Sequence, residues 1–178
     1  MIGAVNVVLD PEANEKRLEY IRSLTKPKMV IDSLEMVDGT NPIPIDGLSQ
    51  NDIADIVFTT GTTGVAKGVC LSHFNIFSSA NNINGFIGNG SEEIEILALP
   101  LCHSFGLGRL RCTLLKGATL VVLPSFANVK AFFAAIEKYH ATGFGMVPAV
   151  WAYIRKFSGI RIAKYAPQIK YIEIGSAA

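Results

Sequence analysis

A chain of 178 residues is long enough for one domain with a real core and short for two. Its side chains are 49% hydrophobic and 17% charged, against about 25% charged in an average soluble domain, yet no run approaches the roughly 18 uninterrupted apolar residues of a spanning helix. A formal net charge of +1, with no basic cluster longer than two residues, argues against a nucleic-acid surface.

The amino-terminal MIGAVNVVLD has no basic residue ahead of its apolar run, so it reads as a strand over Ala4 to Leu9 and not as a secretory signal. Pro11 suits the first turn of a helix whose stripe is Leu18, Ile21 and Leu24. Met29 to Ile31 reads as another strand. Residues 32–50, with Gly39, Pro42, Pro44 and Gly47, form a loop or linker. Ile53 to Phe58 is an apolar strand, Val69 to Leu71 resumes as a strand, and Ser72 suits the cap of a helix from His73 to Ile83.

The second half alternates more clearly. Strands are expected at Ile94 to Leu99, Thr119 to Leu123, Phe144 to Val147 and Tyr171 to Ile174. Helices are expected between them at Phe105 to Leu115, Val129 to Tyr139 and Ala149 to Lys156, the last started by Pro148. Alternation of helices with continuously apolar strands predicts an α/β fold, with layered, largely parallel sheets flanked by helices. Three cysteines, Cys70, Cys102 and Cys112, are odd in number and lack CxxC spacing. They point to reduced thiols in a cytoplasmic protein, with neither a disulfide frame nor a zinc site.

The stretch TTGTTGVAKG, Thr59 to Gly68, concentrates hydroxyls, glycines and one cation where a core has no use for them. Glycine permits the close backbone approach with which N–H groups converge on an anion. Thr59, Thr60, Thr62 and Thr63 add donors, Gly61 and Gly64 supply freedom, and Lys67 brings a full charge. Together these suit a polyphosphate; the alternative is a polar hairpin turn with an exposed lysine. A Walker loop is excluded. Counting from Gly61, its second glycine falls on Ala66, and Gly68 stands where its final hydroxyl belongs.

IVFTTGTTGVAKGVCLSHFN resembles the signature T-S-G-T/S-T-G-x-P-K-G-V, then S/T-H-x-N, of the adenylate-forming (AMP-binding) superfamily. It departs at Thr60, where Ser is commoner, and at Ala66, where Pro is commoner. LALPLCHSFGLG is similar to the family's L-P-L-F-H-x-F-G-L segment, KGATLVVL to its G-A-T-x-V-L strand, and residues 142–148 to its T-x-x-x-V-P. IKYIEIGSAA resembles the strand entering the adenine-contacting G-G-A-P turn, and GAVNVVLDPEANEKRLEYI the upstream G-A-V segment. These segments keep the family's order and spacing along nearly the whole chain.

The resemblance implies a ligase of the acyl-CoA synthetase type. ATP and a carboxylic acid give an acyl-adenylate and pyrophosphate, and CoA then takes the acyl group. It implies that Thr59 to Gly64 and Lys67 cover the β- and γ-phosphates, that His103 lies beside the α-phosphate and the acyl carboxylate, and that Gly175, Ser176 and Ala177 meet the adenine. The segments H-S-F-G-L-G and G-S-A-A look more like fatty-acyl or small-acid CoA ligases. A carrier-protein-loading adenylation domain and a non-catalytic nucleotide-binding or interaction remnant are the alternatives. The family's Mg²⁺-holding glutamate, its ribose-binding aspartate and its small C-terminal domain have no counterpart here. The expectation is therefore a fragment of the large N-terminal domain, inactive alone because turnover is incomplete, with apolar faces that other parts of the enzyme or an oligomer partner would cover. Residue by residue, His73 and His140 read as structural. Phe132, Phe133, Trp151 and Tyr153 read as core before acyl pocket. Arg109 and Arg111 depart from the family's mostly apolar helix and read as exposed or as altered contacts.

Overall fold

A computed structural model of the protein describes residues 3–33, 47–59 and 66–175. The chain divides into two compact units, Met1–His73 and Phe74–Ala178.

In the first unit, α1 (Glu15–Thr25) starts where the Asn14 side chain accepts from the Arg17 N–H, and ends with Lys26 in the left-handed region at φ 44°. This start is later than the expected first turn at Pro11, because Pro11 and Glu12 form a turn instead. β1 (Ile53–Phe58) and β2 (Gly68–Ser72) pair antiparallel, with Phe58 opposite Gly68. The expected strand at Ala4 to Leu9 shrinks to one parallel bridge from Asn6 to Asp55. Met29 to Ile31 forms no strand: Met29 is 68% exposed, and among the described residues no neighbouring strand supplies the ladder bonds that would hold it. Ile21, Phe58 and Ala66 make a small core, with Val7, Leu9 and Ile56 packed against it.

The second unit is the α/β layer that the alternation predicts. Its four parallel strands are β3 (Ile94–Leu97), β4 (Thr119–Val122), β5 (Gly143–Met146) and β6 (Tyr171–Ile174), in the order β4-β3-β5-β6. Around them run α2 (His73–Ile87, its first residue in the first unit), α3 (Ser104–Leu115), α4 (Val129–Tyr139) and α5 (Pro148–Ser158). A 3-10 turn at Arg161–Tyr165, which the sequence pattern does not foretell, leads into β6.

Strand side chains alternate between two faces, and the two faces differ in chemistry. On one, Ile96, Phe144 and Met146 cluster with Phe132, Phe133, Ile136 and Ile154 of α4 and α5. There the Phe132 and Phe144 rings meet edge to face at 5.1 Å. On the other face, α3 covers Glu95, Gly143, Gly145, Tyr171 and Glu173. α2 is tied to α3 by the Asn84 side-chain amide, which donates to the Cys112 carbonyl at 2.9 Å.

β3 continues through α3 to β4 on one side of the sheet, whereas β5 continues through α5 to β6 on the other. The strand order thus reverses between β3 and β5. In open α/β sheets, ligands bind outside the carboxyl ends of strands at such a reversal.

Candidate functional site

The described ends of the Gly/Thr/Lys stretch, Thr59 and Lys67, follow β1 and precede β2, the two antiparallel strands. They are clamped together twice: the Thr59 N–H donates to the Lys67 carbonyl at 3.0 Å, and the Lys67 N–H donates to the Thr59 hydroxyl at 3.1 Å. The Thr59 carbonyl accepts from Arg17 Nη2 of α1 at 3.0 Å. Arg17 is therefore a second cation at the base of the loop. Sequence reading missed it because 42 residues separate it from Thr59. Thr59 and Lys67 are exposed, and Ala66 between them and the core is 7% exposed. The methyl that replaces the family's proline is thus an anchor packed with Ile21 and Phe58. Gly68 must stay small, since a Cβ there would lie 2.9 Å from Ile56 Cγ2. Thr60, Gly61, Thr62, Thr63 and Gly64 lie outside the described residues.

In the second unit, His103 occupies the N-cap of α3. It is exposed, and its side chain makes no cap hydrogen bond. That differs from a half-buried histidine bonded to its own next turn. The β3–α3 connection is tight: the His103 N–H donates to the Pro100 carbonyl, and a Cβ on Gly106 would meet that same oxygen at 2.3 Å. Gly175 follows β6 and donates its N–H to the Met146 carbonyl of β5 at 3.2 Å. The Phe105 ring of α3 lies over the two strand ends, its Cζ 3.3 Å from a Cβ built on Gly145 and 3.8 Å from one built on Gly175. His103 and Gly175 therefore share the carboxyl edge of the sheet, bridged by Phe105. Ser176 and Ala177 lie outside the described residues. Thr59 and Lys67 belong to the first unit, and His103 and Gly175 to the second.

Beneath this edge lies a polar cluster. Arg109, read from the sequence as exposed or as an altered contact, is 1% exposed. Its Nε and Nη2 donate to the two oxygens of Glu95 at 2.7 and 2.6 Å, and its Nη1 donates to Glu173 at 3.0 Å. The Tyr171 hydroxyl accepts from Arg109 at 2.8 Å and donates to Glu95 at 2.8 Å. Burial opposes the charge on Arg109, but the hydrogen bonds and charge of Glu95 overcome it and hold the guanidinium protonated. Burial, followed by the charge of Glu95, pushes the Tyr171 phenol up. Burial also raises the Glu173 carboxyl, against the pull of Arg109. Arg111 is half-buried.

Phe132 and Phe133 are wholly buried, with Trp151 packed on their cluster, while Tyr153 is half-exposed against Phe157. His140 closes α4 in the left-handed region at φ 53°. His73 begins α2. The cysteines are free thiols, of which Cys112 is buried.

The family model described as "AMP-binding enzyme" matches residues 32–178. A probable CoA ligase of Humulus lupulus is 31% identical over 164 residues, covering 89% of this chain and 28% of its own. ATP-bound MatB from Rhodopseudomonas palustris superposes with a TM-score of 0.66 at 27% identity, over 73% of this chain and 25% of that one. MenE of Bacillus subtilis, an o-succinylbenzoate CoA synthetase solved with its acyl-adenylate, gives 0.65 at 26%, over 73% and 33%. The chain spans about a quarter of the length of the curated relatives it matches (25% and 28%). With the family model matching most of its length, this chain belongs to the AMP-binding enzyme family.

Proposed function

We propose that this chain is the nucleotide-handling part of an acyl-CoA ligase. A carboxylate oxygen of the acid attacks the α-phosphorus of ATP, the bond to the bridging oxygen breaks, and pyrophosphate leaves. The thiol of CoA then attacks the acyl carbon and AMP departs with its oxygen. The carrying observation is the clamped hairpin: two hydrogen bonds between Thr59 and Lys67 hold the base of a Gly/Thr loop beside a lysine and Arg17.

Negative charge builds on the pyrophosphate oxygens as they leave, and donors held there in advance lower the barrier without reorganising. Lys67 and the Thr59–Gly64 loop supply them. His103, with its imidazole uncommitted at the N-terminus of α3, faces the α-phosphate and the acid. The backbone of Gly175 to Ala177 takes the adenine. Mg²⁺ accompanies ATP, but no group of three His, Cys, Asp or Glu that could hold it occurs among the described residues, so no step is derived through it. α2 leaves Phe74, Phe77 and Phe86 more than half exposed, surface that other parts of a longer enzyme or an oligomer partner would cover.

The test is the pair of half-reactions in the longest natural chain carrying this sequence. Lys67→Ala removes a transition-state donor, which costs about 3 kcal/mol, or about a hundredfold. It is expected to slow acid-dependent ATP–pyrophosphate exchange by that factor and transfer from preformed adenylate to CoA far less. Equal losses in the two steps would overturn the assignment.

A further inference from the structure

The buried cluster around Arg109 spans three strands. Glu95 of β3, Gly143 of β5 and Tyr171 of β6 stand in one row across the sheet, and Gly145 stands beside Glu173 in the next. Glycine in the middle strand opens the path: a Cβ on Gly143 would lie 2.2 Å from the Tyr171 ring, and one on Gly145 3.4 Å from Arg109 Cγ. Arg109 and Tyr171 can therefore lie flat across β5 and meet Glu95 and Glu173 on its two sides.

Glu95 alone neutralises Arg109. It is 1% exposed, bidentate to the guanidinium, and further bonded by the Thr113 hydroxyl at 2.8 Å and by Tyr171. The second carboxylate, Glu173, is 32% exposed and makes a single bond to Arg109 Nη1. A second carboxylate adds little to a pair already complete, and apolar residues often stabilise such a place as well or better. Its position is what distinguishes it. Glu173 lies two residues before Gly175, and Arg109 lies on the helix whose first turn carries His103 and Phe105.

We propose that the Arg109–Glu173 pair is a positioning device, fixing the end of β6 and its Gly175 turn against the N-terminal turn of α3 so that Phe105 stays seated over both strand ends. Neither residue needs to touch the nucleotide for this role. The part concerning ligand rests on the nucleotide reading above; the part concerning position does not.

The decisive variant is Glu173→Gln, which keeps the shape and removes the charge while leaving Arg109 paired with Glu95. The readout is the nuclear Overhauser contact between the Phe105 ring and the Gly175 α-protons in this 178-residue chain, measured with thermal unfolding and with AMP titration. The groups facing Glu173 are Arg109 and Cys112 of α3 and Glu95 of β3, with Tyr171 of β6 bonded to Arg109 and Glu95 beside them. The contact is expected in the parent at neutral pH. It should weaken at least about threefold in Glu173→Gln, and likewise in the parent as pH falls through the raised titration of Glu173, while the variant shows no such pH step. The unfolding temperature should stay level or rise, because a charge costly to bury has gone. AMP affinity should fall about five- to tenfold. A purely structural role predicts the reverse, with a lower unfolding temperature and an unchanged contact, and that result would overturn the proposal. If the parent fails to bind AMP, the nucleotide reading falls, and the Phe105–Gly175 contact still decides the positioning role.

Discussion

Gly106 and Gly108 stand two residues apart on α3 and invite opposite outcomes. A Cβ on Gly106 would fall 2.3 Å from the Pro100 carbonyl oxygen, a backbone atom that cannot swing aside, whereas one on Gly108 meets nothing within 4 Å. Gly106→Ala is expected to destabilise the chain by about 1–3 kcal/mol through overpacking. Gly108→Ala is expected to stabilise it by about 0.5–1 kcal/mol, through helix propensity. Chemical denaturation of the two variants checks both signs. Sequence reading matched the F-G-L-G segment without separating these glycines, because the difference lies in where Pro100 folds back. Arg109 was illegible for a related reason. Its partners lie 14 and 64 residues away, and a charge on an otherwise apolar helix reads as surface until they are known. The reverse holds for Thr59 and Lys67, whose types and spacing announce anion chemistry before any fold is known.

Among the elements, those with a strong local signal were read well. The α4 helix runs from Val129 to Tyr139 as its Phe132/Phe133/Ile136 stripe predicts, and β6 from Tyr171 to Ile174 as its apolar run predicts. α4 is started by Asn128, whose side chain accepts from the Ala131 N–H at 3.0 Å. Asn128→Ala should cost about 1 kcal/mol, read from the denaturation midpoint, whereas Asn128→Ser should cost little. Elements that depend on a distant partner were read poorly. Met29 to Ile31 has strand composition and, among the described residues, no strand beside it. β1 and β2 were legible as strands, at Ile53 to Phe58 and around Val69 to Leu71, and only their antiparallel pairing was not. The turn at Arg161–Tyr165 is too short to carry a helical period.

At the scale of the whole molecule, the parallel sheet was legible because strand–helix alternation dictates it. The division at His73 was not, since no glycine- or proline-rich linker marks it; such residues gather instead at 32–50. The two halves of the account rest on different units, the clamped hairpin on the first and the strand-end edge with His103 and Gly175 on the second. About three quarters of this chain matches about a quarter of its relatives, so they are roughly three times as long, and the complete reaction proposed above is a matter for a chain of that length. Phosphate binding by the hairpin is the claim that can be asked of the chain itself.

The measurement that asks it is a calorimetric titration of Mg·ATP into the 178-residue chain and into Lys67→Ala, with the fold of each verified by circular dichroism. An interaction with a charged group is worth about 1.5–3 kcal/mol, so the account predicts saturable binding by the parent and affinity about 10- to 100-fold weaker in the variant, with identical spectra. A folded parent that binds no ATP, or a folded variant that binds it as tightly as the parent, would contradict the assignment of the Thr59–Lys67 loop as the phosphate site.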